Sequence, residues 1–168
     1  KLFDKIIYRF ATHVIVDSHS QRRFLLNEKI ISQERSTVIG GGSLGGVNTK
    51  VFHPDHTSRK RLRQEMSIGL DDIVYLFVGR LDVDKGIFEL VEAYAEVSKK
   101  QNNSSLWLVG PSESGADALQ SHIKNLNVKS VVFIPYTESP EKYMSAADIF
   151  CLPSRREGFG SVIIEAAS

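Results

Sequence analysis

The run Ile73-Val74-Tyr75-Leu76-Phe77-Val78, followed at once by Gly79-Arg80-Leu81-Asp82-Val83-Asp84-Lys85-Gly86, decides the fold. Its apolar residues are nearly continuous rather than alternating, the pattern of a strand covered by helices on both faces. Immediately downstream, Ile87, Leu90, Val91, Tyr94 and Ala95 recur at helical spacing, with Glu89, Glu92 and Glu96 off that face. Leu106–Val109, Val131–Ile134 and Ile149–Leu152 repeat the strand pattern. Ala118–Leu126 and a segment opened by Ser139-Pro140 and running through Tyr143, Met144 and Ala147 read as helices, with proline at a first-turn position. Strands alternating with helices predict parallel βαβ units: an α/β fold with a Rossmann-like parallel sheet and helices on both faces.

Toward the amino terminus the theme recurs once, as a βαβ remnant: a strand over His13–Val16, a helix over Gln21–Ile31 and a strand over Thr37–Ile39. The cluster Gly40-Gly41-Gly42-Ser43-Leu44-Gly45-Gly46 then leads into residues 47–54 without helical period, as a hinge would. The reading is a first domain ending in a linker over residues 1–50 and a second domain over 51–168. Residues 58–68, rich in Arg59, Lys60, Arg61 and Arg63, read as a solvated helix, and Asn102-Asn103-Ser104-Ser105, which contains glycosylation sequons, as a polar turn. The chain starts with Lys1 and stops at Ser168 inside a helical pattern, so both ends read as cuts.

Composition narrows the function. Hydrophobic residues make up 42% and charged residues 24%, ordinary for a globular protein. Lysine and arginine (21) balance aspartate and glutamate (20), which leaves no basic field for nucleic acid. Cys151 has no second cysteine to pair with and sits in an apolar run as a small buried hydrophobe. The histidines are too scattered for metal-ligand spacing, and no apolar stretch reaches the ~20 residues that span a bilayer.

Ligands of open parallel sheets bind beyond the carboxyl ends of the strands. There this sequence places Gly79–Gly86, Gly110-Pro111-Ser112, Pro135-Tyr136-Thr137 and Pro153-Ser154-Arg155-Arg156-Glu157-Gly158-Phe159-Gly160-Ser161. Arg80 and Lys85 are suited to a diphosphate, one as a fork and the other as a point charge; ion pairing with Asp82 and Asp84 is the competing explanation. Gly158-Phe159-Gly160-Ser161 opens a helical pattern, so its N–H groups can meet an anion, or it is a turn with Ser161 as cap. Glu157 and Glu165, if both helical, lie about 12 Å apart along one side and suit paired sugar hydroxyls, unless they are unrelated. Gly40–Gly45 fits G-x-G-x-x-G, but neither a following helix nor a properly placed acidic residue supports a dinucleotide site.

Together these residues resemble the family-4 (group 1) retaining glycosyltransferases of the GT-B fold. The resemblance runs through Gly79-Arg80, Lys85-Gly86, Leu108-Val109-Gly110, Val132-Phe133, Ala146-Ala147-Asp148-Ile149, Pro153-Ser154 and Glu157-Gly158-Phe159-Gly160 with Glu165 as a Glu-x7-Glu signature. It covers residues 73–168 and, through Gly42–Pro54, an interdomain segment; Asn48 stands where the family often has aspartate. The resemblance implies that residues 1–50 end an acceptor-side domain and that 51–168 bind a nucleotide-diphosphate sugar. By it, Gly79, Arg80 and Lys85 meet the diphosphate; Glu157, Gly158, Phe159, Gly160 and Ser161 meet sugar and phosphate; Glu165 holds the ribose; and Pro135 and Tyr136 border the base. Arg80, Lys85 and Glu157 carry the chemistry, with Glu157 positioning the donor rather than attacking it, since retaining glycosidases need their carboxylates much closer than 12 Å.

The resemblance further implies retention of configuration, no cofactor and no catalytic metal. It implies a saccharide or lipid-linked acceptor bound by the missing part of the first domain, a role in polysaccharide or glycolipid synthesis, and a cytoplasmic location with peripheral association at the inner membrane face. The isolated chain is then expected not to catalyse transfer. Two rivals stand beside this: a nucleotide-diphosphate-binding module without catalysis, and a nicotinamide oxidoreductase using the Gly40 cluster. A bulky residue at Gly42 is expected to abolish ligand binding only under the last.

Overall fold

The computed structural model describes residues 2–43, 45–112, 116–155 and 157–168. Leu44 of the glycine cluster and Arg156 of the last loop lie outside them. The chain divides into two compact units, Lys1–Val47 with Glu157–Ser161, and Asn48–Arg156 with Val162–Ser168.

In the first unit, α1 (Leu2–Phe10) precedes β1 (Val14–Ile15), α2 (His19–Asn27) and β2 (Ser36–Thr37). The two strands pair in parallel, Val14 opposite Ser36 and Ile15 opposite Thr37. Ser18 caps α2, its Oγ accepting from the Gln21 N–H at 3.2 Å. Val16, Ile30 and Ile31 form the core. The sequence did not announce α1, whose Leu2, Phe3, Ile7 and Phe10 are exposed. Nor does α2 reach Ile31. Lys29 enters the left-handed region (φ 52), Ile30 N–H bonds back to Leu25 C=O and Lys29 N–H to Leu26 C=O, and Ile30 turns into the core.

The second unit holds α3 (His56–Glu65), β3 (Ile73–Val78), a 3₁₀ turn (Val83–Lys85), α4 (Ile87–Ser98), β4 (Ser104–Val109), α5 (Ala116–Asn125), β5 (Val131–Ile134), α6 (Pro140–Ala146), β6 (Ile149–Phe150) and most of α7 (Ser161–Ala166). Its strands are all parallel, in the order β5-β4-β3-β6. Alternate residues of each strand serve opposite layers, which is why the strands read as continuous apolar runs. Phe77, Leu106 and Leu108 pack with Leu90, Val91 and Tyr94 of α4 and Leu119 and Ile123 of α5. Val74, Leu76, Trp107, Val109 and Ile134 pack with Ala146 of α6 and against Leu62 and Met66 of α3. Trp107, fully buried, meets Tyr143 edge-on at 6.2 Å between ring centres.

Two expectations are corrected here. Ser104 and Ser105 do not lie in a polar turn; they open β4, buried, with their hydroxyls donating to the carbonyls of Gln101 and Ser130. Small hydroxyls that bond to nearby carbonyls enter a core cheaply. Nor is α3 simply a solvated surface helix. Arg63 has no exposure, and its guanidinium donates to the carbonyls of Ala146, Gly69, Leu70 and Asp72 and to the Asp148 carboxylate. Arg59 donates to the other Asp148 oxygen at 2.6 Å and to the Ala146 and Ala147 carbonyls at the end of α6. Asp148 accepts the Val74 N–H at 2.8 Å as well, clipping the start of β6 to β3.

Candidate functional site

From β3 the chain moves to β4 and then β5 on one side of the sheet, and returns to place β6 on the other side of β3. The strand order therefore reverses between β3 and β6, the switch point where open α/β sheets bind ligands. Beyond the end of β3 stand Gly79 and Arg80. The Arg80 side chain is 48% exposed and pairs with Asp82 at 2.6 Å and Asp84 at 3.4 Å. Its guanidinium thus makes the ion pairs that the sequence left open, while the side chain as a whole stays about half exposed. Lys85 closes the 3₁₀ turn that leads into α4.

Main-chain contacts hold this rim together. Gly86, at φ 69, backs onto Pro153 so closely that a Cβ would stand 2.4 Å from its carbonyl oxygen. Arg155 N–H donates to the Asp84 carbonyl at 3.2 Å, and the Arg155 guanidinium pairs with Glu89. The loops after β3 and β6 are thereby joined. Gly110, at φ 140, would place a Cβ 2.0 Å from the Gly79 oxygen, and Leu81 N–H donates to Pro111 C=O at 2.9 Å, joining the loops after β3 and β4.

The remaining candidates are not all gathered there. Pro135 and Tyr136 follow β5, two strands from β3 and so about 10 Å away across the sheet; Tyr136 is exposed. Glu165 lies in α7 and lines a cavity with Phe52, His53, Pro54, Glu141 and Met144. Burial pushes its carboxyl above the ordinary range. Cys151 packs against the core below, its thiol pushed up by burial.

Glu157, Gly158, Phe159 and Gly160 precede α7, which begins only at Ser161. Glu157 and Glu165 therefore do not share a helix, and the separation deduced from helical rise lapses. The helix, six residues long, also brings little dipole to the segment. The segment belongs to the first unit. Gly158 C=O accepts from Ser18 Oγ at 2.7 Å, its Cβ position lies 3.6 Å from Asp17 Oδ2 and from Gln21 Oε1, and Gly160 is buried at φ 76. Gly42, at φ 104, has the Asp17 carbonyl oxygen 2.5 Å and the Phe159 ring 2.9 Å from where a Cβ would be. A bulky residue at Gly42 would thus disturb Phe159 whatever the ligand, so that substitution no longer separates the rival functions. Sequence reasoning missed Ser18; the only signal was a serine between a strand and a helix, the ordinary mark of an N-cap.

Among the described residues, no group of three or more His, Cys, Asp or Glu side chains is placed to hold a metal ion. Among them, too, no helix is long and apolar enough to cross a membrane.

Residues 58–168 match the family model for glycosyl transferases group 1. The chain belongs to this family. One relative, the capsular polysaccharide biosynthesis glycosyltransferase CapM of Staphylococcus aureus, is 30% identical over 166 residues, covering 98% of this chain and 43% of the relative. The chain therefore spans less than half the length of that protein. Among solved structures, Anabaena HepE in complex with UDP and glucose superposes with a TM-score of 0.86 at 24% identity, over 98% of this chain and 44% of that one. Sucrose-phosphate synthase from Thermosynechococcus elongatus does so with a TM-score of 0.80 at 29% identity, over 98% and 40%. These likenesses establish the α/β architecture as that of GT-B glycosyltransferases.

Proposed function

We propose that this chain carries the nucleotide-sugar site of a retaining glycosyltransferase acting in polysaccharide synthesis. The observation that supports it best is the switch point between β3 and β6, where a half-exposed Arg80 and the turn ending in Lys85 stand on a rim fixed by main-chain contacts. A departing nucleoside diphosphate gathers negative charge on its phosphate oxygens. Pre-set cations stabilise that charge without reorganising at the moment of reaction, and on this reading they do so without a metal. Arg80 and Lys85 take the diphosphate, the Glu157–Gly160 segment orients the sugar, and Glu165 accepts from the ribose hydroxyls. A UDP-sugar donor is consistent with the ligands of HepE, and a capsule-type saccharide acceptor with the name of CapM.

Calorimetric titration with the uridine, guanosine and adenosine diphosphates, with and without magnesium, tests the proposal. One nucleotide is expected to bind independently of metal and to be lost in the Arg80→Ala/Lys85→Ala double variant. Unchanged affinity in that variant would refute the assignment.

A further inference from the structure

We propose that Ser18 is a positioning residue for the glycine-flanked segment Glu157–Gly160, its hydroxyl setting the direction in which the Phe159 N–H points. The inference rests on the donor reading of that segment, but the pin itself is visible without it.

The argument begins with the peptide unit between Gly158 and Phe159. A trans peptide is planar, and its C=O and N–H point in opposite directions. Fixing one end therefore aims the other. The Gly158 oxygen is fixed by a 2.7 Å hydrogen bond from Ser18 Oγ, with Ser18 itself only 8% exposed. Without that bond the unit would turn more easily, because Gly158 has no side chain to restrict rotation on its side of the peptide.

The surroundings of Ser18 are rigid enough for the role. Its Oγ also accepts from Gln21 N–H at 3.2 Å as the cap of α2 and lies 3.1 Å from Ser20 Oγ, so with its hydrogen aimed at Gly158 the hydroxyl accepts from both neighbours. The preceding residue, Asp17, receives Ser43 N–H on its carbonyl at 2.8 Å. Gly42 leaves room there for the Phe159 ring, which a Cβ would meet at 2.9 Å. Ring and carbonyl of the same short segment are thus held by neighbouring parts of one unit, and the pinned peptide sets the direction in which the Phe159 N–H can meet an anionic or hydroxylic ligand group. Ser18 touches no ligand on this account; it acts through the peptide.

Capping and pinning are separable, because one uses the hydroxyl as acceptor and the other as donor. Ser18→Thr keeps both, Ser18→Asp keeps the acceptor and cannot donate, and Ser18→Ala loses both. The Phe159 amide is followed by ¹⁵N relaxation dispersion, which reads microsecond-to-millisecond flipping, alongside thermal melting and titration with UDP-glucose, GDP-mannose and ADP-glucose. Phe159 is expected to be quiet in the wild type and in Ser18→Thr, and to show exchange in both Ser18→Ala and Ser18→Asp. The affinity for the nucleotide sugar that binds should fall about five- to tenfold in those two, the scale of one hydrogen bond.

A quiet Phe159 in Ser18→Ala and Ser18→Asp would overturn the proposal. So would exchange in Ser18→Ala that Ser18→Asp abolishes, since that would trace to the cap. Exchange in both variants with unaltered nucleotide-sugar affinity would uphold the pin and remove the donor reading of the segment instead.

Discussion

Arg63 and Asp148 form an ion pair in which the guanidinium is wholly buried and the carboxylate is 30% exposed. Burial pushes the Asp148 carboxyl up. The Val74 N–H and the charges of Arg59 and Arg63 outweigh that, and its pKa lies below the ordinary 3.8. The folded value being lower than the unfolded one, the stabilisation is complete above about pH 4 and is lost as pH falls through the folded pKa. Asp148→Ala is expected to cost about 3 kcal/mol at pH 7, because it strands a buried cation. Asp148→Asn should flatten the acid limb of the stability curve, followed by urea unfolding between pH 2 and 5. An acid limb identical to that of the wild type would contradict this.

Arg80 is held by Asp82 at 2.6 Å, and on the donor reading a phosphate would compete with Asp82 for it. Asp82 makes no side-chain capping bond to its own turn, so Asp82→Asn removes the shorter of the two ion pairs on Arg80 and leaves only the 3.4 Å contact with Asp84, at little structural cost. Nucleoside diphosphate affinity is expected to rise about two- to fivefold, the worth of one exposed ion pair, with an unchanged melting midpoint. Weaker binding would show that Asp82 orients Arg80 rather than competing for it.

Gly42 cannot accept even a methyl group without moving the Asp17 carbonyl or the Phe159 ring. Gly42→Ala is expected to lose about 2–4 kcal/mol through the left-handed backbone and the overlap. Displaced Phe159 ring resonances should accompany the loss in an NMR spectrum. A variant of native stability with unmoved Phe159 signals would mean that the contact is absent in solution.

Glu165 gives the opposite sign. Its raised carboxyl pKa, caused by burial, means that the charged form is disfavoured in the folded chain. The cost is absent below the unfolded pKa and complete above the folded one. Glu165→Gln is expected to raise the melting midpoint slightly at pH 7, by an amount that solvent screening of this partly exposed group keeps small, and to leave it unchanged at pH 3. On the donor reading it weakens nucleotide binding at the same time. Equal shifts at both pH values would rule out the electrostatic cause.

The strands of the larger sheet were legible because β3, β4 and β5 each supply both layers of core and so read as apolar runs, and because Phe150 of β6 and the Cys151 and Leu152 that follow it do the same. Helix ends were less so. The predicted helices ran on to Ile31 and Ile68, where the chain had already turned at Lys29 (φ 52) and Ser67 (φ 56). No glycine marks those turns, and the apolar residue just beyond each, Ile30 or Ile68, bonds back to Leu25 or Arg63 and packs into the core, so hydrophobic periodicity continues past the true end. Asn127 and Val128 close α5 in the same way. The burial of Arg63 was invisible because its partners are carbonyls and an aspartate 85 residues away. For the candidate site, the motif residues around β3 and β6 could be named from spacing and resemblance. Their supports could not, since Ser18 meets Gly158 across 140 residues of chain.

The glycine contacts of the rim have an evolutionary consequence. Gly86 against Pro153, and Gly110 against Gly79, join the loops backbone to backbone, so cohesion there owes little to the identity of nearby side chains. Exposed side chains on the rim, such as Arg80, can then be exchanged while the scaffold beneath them keeps its shape. On the donor reading, a single substitution at an exposed position would alter what is selected while leaving intact how the loops are held.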